Sequence, residues 1–65
     1  MYSVGQIIKY HPIWNMFNYE IATIIDTYTG CYGESKYIVR LSDGYIDEIY
    51  ESQIIGLCYA ENSWF

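Results

Sequence analysis

Apolar and polar residues alternate along most of this chain, and no stretch longer than about ten residues keeps the 3.6-residue apolar period of a helix. The first candidate strand runs from Val4 to Tyr10, opening at Gly5 and halted by His11-Pro12, because proline has no N–H to give a ladder. Ile13-Trp14-Asn15-Met16-Phe17-Asn18 then reads as an aromatic loop bracketed by two turn-forming asparagines. The second candidate strand, Tyr19 to Tyr28, alternates most clearly. Ala22 and Ile24 share one face with Glu20 and Asp26, and Ile21, Thr23, Ile25 and Thr27 occupy the other.

Thr29 to Ser35 reads as a loop, with Gly30 and Gly33 supplying turn conformations. A third strand follows at Lys36 to Leu41, and Asp43-Gly44 is a hairpin signal leading into a fourth at Tyr45 to Tyr50. Glu51-Ser52-Gln53-Ile54 reads as one helical turn before a short last strand at Ile55 to Tyr59. Five short strands without a long helix bury a common apolar face only by curling together. The sequence therefore predicts an all-β fold: one five-stranded small barrel over residues 1–59, with a C-terminal tail at 60–65. Val4, Ile8, Ala22, Ile24, Val39, Leu41, Ile49 and Ile54 are the expected core.

Sixty-five residues allow one small domain, and a 52% hydrophobic, 20% aromatic composition excludes a disordered chain. Three Lys and Arg against eight Asp and Glu give a net charge of -5, which argues against general attraction to nucleic-acid phosphates. No apolar run is long enough for a membrane span, and Met1 to Gly5 lacks the basic and apolar regions of a secretory signal, so a cytoplasmic location is expected. Cys31 and Cys58 read as ordinary reduced thiols, since secreted disulfide scaffolds of this size carry more cysteines.

Val4-Gly5-Gln6-Ile7-Ile8, Tyr19-Glu20-Ile21-Ala22-Thr23-Ile24, Tyr37-Ile38-Val39-Arg40-Leu41-Ser42-Asp43-Gly44, Ile49 and Ile54 together resemble Tudor-type modules of the SH3-like barrel group. The resemblance covers roughly residues 4 to 57 and implies that barrel. It also implies an aromatic cage for methylated lysine or arginine, read through cation–π contact. Trp14 and Tyr19 stand at two cage positions, whereas Leu41 and Asp43 stand where the family has aromatic residues, so half the cage is missing. The chain is also similar in composition to small bacteriophage accessory proteins: short, acidic and rich in Ile and Tyr. Many of those bind and disable a host factor.

Catalysis is not expected. His11 is the sole imidazole and reads as a solvent-facing loop residue, without the nucleophile and orienting partner a general base needs. His11, Cys31 and Cys58 lie far apart in sequence, unlike the close pairs of structural zinc sites, and no phosphate-cradling glycine loop precedes a helix. No cofactor and no metal is expected.

Two features stand out instead. Asp43, Asp47, Glu48 and Glu51 place four carboxylates within nine residues, either as a docking rim for a basic partner or as a solvated hairpin that resists edge aggregation. Thirteen aromatic residues exceed what so small a core takes, and eleven of them, Tyr10, Trp14, Phe17, Tyr19, Tyr28, Tyr32, Tyr45, Tyr50, Tyr59, Trp64 and Phe65, cannot all be interior. Surplus aromatics at a surface favour an interface.

The leading expectation is thus a binding module, of the phage inhibitor kind, that docks on a protein through Trp14, Phe17, Tyr19 and Tyr45 with Asp43, Asp47, Glu48 and Glu51 as rim. The alternative is a homo-oligomer that sequesters a small nucleotide-like signalling ligand, its phosphates meeting Lys9, Lys36 or Arg40 and its base stacking on Tyr or Trp. A nucleic-acid or chromatin-type barrel comes third, against the acidic balance.

Overall fold

The computed structural model describes residues 2–14, 17–60 and 63–64, with residues 59, 60, 63 and 64 given by backbone alone. Its strands are β1 (Ile7–Tyr10), β2 (Glu20–Thr29), β3 (Ser35–Leu41), β4 (Ile46–Tyr50), β5 (Ile54–Ala60) and the two-residue β6 (Ser63–Trp64), with a 3-10 turn at Glu51–Gln53 before β5. The order across the sheet is β4-β3-β2-β1-β5-β6, every pair antiparallel. The all-β class, the five strands and the helical turn before the last of them agree with the sequence. β5 reaches Ala60, and Ser63–Trp64 pairs back on it, so backbone that reads as a tail belongs to the sheet. Expectations for Met16 in the first loop and Phe65 at the end fall outside the described residues.

The sheet is strongly curled. Laid flat, β4 and β5 would stand four strand spacings apart, about 19 Å, whereas a 3-10 segment from Tyr50 to Ile54 advances only about 8 Å. Curling brings the ends of β4 and β1 together, and Gln53 ties them. Its Nε2 donates to the His11 carbonyl, and its Oε1 accepts the Tyr50 N–H, both at 2.9 Å.

Curling stops short of a closed barrel, which corrects the sequence expectation. No ladder joins β4 to β5 among the described residues. Two local causes act. Two β4 donors are spent on side chains, Glu48 N–H on Asp47 Oδ1 and Tyr50 N–H on Gln53 Oε1. Beyond Leu57, the far side of β5 is taken by β6.

The core lies inside the curl, formed by Ile8, Tyr10, Ala22, Ile24, Tyr37, Val39 and Ile49, with Leu41, Ile54 and Leu57 partly buried against it. Val4 is the exception to the expected set. It is 58% exposed, because Val4-Gly5 is a turn and regular pairing of β1 begins only at Ile7. Gly5 takes φ 94°, which a side chain would oppose, and its N–H donates to the Ile24 carbonyl.

Strand β2 carries an irregularity that strict alternation misses. The register on β3 steps from Ile24↔Val39 to Asp26↔Ile38, leaving Ile25 as an extra residue. Past this bulge the faces exchange, so Asp26 leaves the side of Ala22 and Ile24 for the outer surface. A buried carboxylate is thereby avoided.

Candidate functional site

The aromatic loop between β1 and β2 and the hairpin between β3 and β4 lie at the same end of the sheet, where β2 begins. Register fixes this: Glu20 pairs with Tyr10, and Ala22 pairs with Leu41. The hairpin is a three-residue connection in which Gly44 N–H donates to the Leu41 carbonyl and Gly44 adopts φ 92°. Asp43 Oδ1 accepts the Tyr45 N–H at 2.9 Å, fixing the tip.

At this end Trp14 is 66% exposed and Phe17 98% exposed, with Tyr19 and Tyr45 more than half exposed. Lys9 Nζ lies 3.7 Å from the centroid of the Tyr19 ring, a cation–π contact within the chain. His11 closes the loop, which corrects its reading as a solvent-facing residue. It is half-buried, its Nδ1 donates to the Asn18 carbonyl at 2.7 Å, and its backbone is bonded to Gln53 on both sides. Pro12 beside it is buried.

The four acids of the 43–51 run are not brought together. Asp43 stays exposed at the hairpin tip. Asp47 is half-buried, accepting Tyr10 Oη through Oδ2 at 3.2 Å and the Glu48 N–H through Oδ1 at 2.9 Å. Glu48 pairs with Ile38 on the outer surface. Glu51 sits at the far end of β4 and accepts Tyr37 Oη at 2.7 Å. The structure thus sets Trp14, Phe17, Tyr19, Tyr45, Asp43 and Asp47 at one end and leaves Glu48 and Glu51 elsewhere.

Tyr10 and Tyr37 are each 1% exposed, so Tyr10 belongs to the core rather than to the surface surplus. Burial first, then the charge of and hydrogen bond to Asp47, push the Tyr10 phenol well above its ordinary range. Glu20, its partner across the β1–β2 pair, and Tyr45 raise it further. Burial likewise raises Tyr37, with Glu51 adding to it and the Tyr2 N–H bond opposing it. Glu20 and Gln53 shape this end and were not singled out from the sequence. An isolated Gln in a helical turn carries no pattern that marks it.

Lys9, Lys36 and Arg40 all stand on the outer surface, but spread out. Lys36 Nζ lies 5.1 Å from the Tyr50 ring and 5.8 Å from the Tyr28 ring, with Glu34 at 3.9 Å. Cys31 is exposed and Cys58 buried, and no disulfide joins them. Among the described residues no group of three His, Cys, Asp or Glu could hold a metal, and no helix is long and apolar enough to cross a membrane. No family model, no curated protein and no solved structure matches the chain.

Proposed function

We propose that the chain is a non-enzymatic protein-binding module of the SH3-like, Tudor-type kind, and that its docking surface is the end carrying Trp14, Phe17, Tyr19 and Tyr45 with Asp43 as charged rim. The observation that carries this reading is the exposure of Trp14 and Phe17 on a loop anchored from below by His11, Pro12 and Gln53. Large aromatic side chains held out on a braced loop supply contact area with little ordering cost on binding. The partner this surface suits has an apolar patch beside cationic groups that meet Asp43. The small acidic chain suits a phage-type inhibitor that acts on a host protein in the host cytoplasm.

The test is affinity capture from a bacterial lysate with the wild type, Trp14→Ala and Tyr45→Ala. A stoichiometric partner captured by the wild type and lost with Trp14→Ala supports the reading. A partner held equally by all three contradicts it.

The nucleotide-sequestering alternative draws less from the geometry. Lys36 and Arg40 stand four residues apart on one strand, about 13 Å, and Lys9 and Lys36 each rest on tyrosine rings. The three cations are thus not gathered at one point on a single copy.

A further inference from the structure

The chain has three cationic side chains in all, and strand parity sets them on one surface. Ile8 and Tyr10 of β1 and Tyr37 and Val39 of β3 point into the core. Lys9, Lys36 and Arg40 alternate with them and therefore face outward. Lys9 and Lys36 rest on tyrosine rings, as described above. Arg40 differs: it is exposed, and among the described residues its guanidinium has no ion pair and no ring contact. It stands beside a shallow groove of about 550 Å³ lined by Ile7, Ile21, Thr23 and Gly44. Ile46, its partner on β4, is exposed, as are Ile7 and Ile21.

The aromatic end has the opposite character. Asp43 is exposed there, with half-buried Glu20 and Asp47 behind it and Trp14 and Phe17 projecting. One molecule thus carries an acidic, aromatic end and, on its outer face, Arg40 among exposed aliphatic side chains, with Glu48 and Asp26 further along that face. Strand addition at β4 is disfavoured, because Glu48 N–H and Tyr50 N–H are already taken by Asp47 and Gln53.

We propose that the outer sheet face around Arg40 receives the aromatic end of a second copy, with Asp43 set against Arg40 and Trp14 laid over Ile7 and Ile21. The net charge of -5 on each copy opposes approach, but screening at physiological salt leaves charges more than about 8 Å apart little effect. A charge-assisted Arg–carboxylate contact with apolar neighbours then decides the encounter. Ser42 and Gly44 line the groove and flank Asp43, so the contact closes either as a two-fold pair that makes it twice or as a ring or chain that makes it once per copy. It also covers the aromatic end, so self-association and capture of a foreign protein exclude one another. The inference does not depend on that foreign partner.

The experiment is sedimentation velocity on the full chain alone over a wide concentration range, with wild type, Arg40→Glu, Asp43→Arg and an equimolar mixture of the two variants. The wild type should associate with rising concentration and dissociate with salt. Each single variant should need roughly tenfold more protein to associate. The mixture should recover association, because each remaining contact again joins opposite charges. Circular dichroism checks that both exposed positions leave the fold intact. A wild type that stays monomeric throughout overturns the proposal. So does association that Arg40→Glu leaves unchanged, or a mixture of folded variants that fails to recover it.

Discussion

Tyr10 on β1 and Asp47 on β4 are joined by a hydrogen bond of 3.2 Å from Tyr10 Oη to Asp47 Oδ2, although β2 and β3 lie between their strands in the sheet. The bond spans the inside of the curl and holds its two sides together. The other oxygen of the same carboxylate occupies the Glu48 N–H, a β4 donor outside the ladder. Asp47 thus has a structural task that its exposed neighbour Glu48 lacks. Asp47→Ala leaves the buried Tyr10 phenol without its partner and hands the exposed Glu48 N–H to water, at about 1–3 kcal/mol of stability. Glu48→Ala should stay within about 0.5 kcal/mol of wild type. Urea unfolding of the two variants checks the contrast.

Alkaline pH should weaken the fold through two phenols. The folded pKa values of Tyr10 and Tyr37 lie above the ordinary 10.0, chiefly because both rings are buried. Below pH 10 the folded and unfolded chains both keep these protons, and the contribution to stability is whole. Above it the unfolded chain releases them first, so stability falls as pH rises toward the folded values. Tyrosinate absorbance should show two phenols that titrate only with unfolding. Tyr10→Phe should remove one of them.

Gln53 is the tie between β4 and the end of β1. Gln53→Ala removes the acceptor of the Tyr50 N–H and the donor to the His11 carbonyl, a loss of about 2–4 kcal/mol. A domain of this length holds roughly 3–10 kcal/mol in total, so the variant should give up a large share of its stability. The denaturation midpoint should fall sharply with little change in slope.

Gly44 turns the hairpin at φ 92°, and a methyl group there would meet open space. The cost of Gly44→Ala is therefore backbone strain alone, about 1–2 kcal/mol. Thermal unfolding measures it. An unchanged midpoint would show that the tip relaxes into another turn.

Much of this fold is legible in alternation and punctuation. Ile8, Ala22, Ile24, Val39 and Ile49 fall where a period of two puts them, Gly5 precedes the first strand, and Pro12 and Asp43-Gly44 mark where strands stop. Three features escape that reading because they are tertiary. The bulge at Ile25 depends on which β3 residue lies opposite. Gln53 acts through partners three and 42 residues away. The interior place of Tyr10 depends on a carboxylate 37 residues on. The aromatic end was visible as an unexplained excess of aromatics. The acidic run misleads because neighbours in sequence on a strand face opposite ways, and a turn then carries Glu51 to the other end.

Native mass spectrometry of the protein recovered from a host-cell lysate, beside its Trp14→Ala/Phe17→Ala variant, tests the central claim most directly. The account predicts a wild-type complex with one stoichiometric protein of tens of kilodaltons, and a folded variant recovered without it. A wild type recovered as an assembly carrying only a few hundred daltons of added mass would contradict the account in favour of a sequestered small ligand, and the same protein partner on both chains would contradict the placement of the surface.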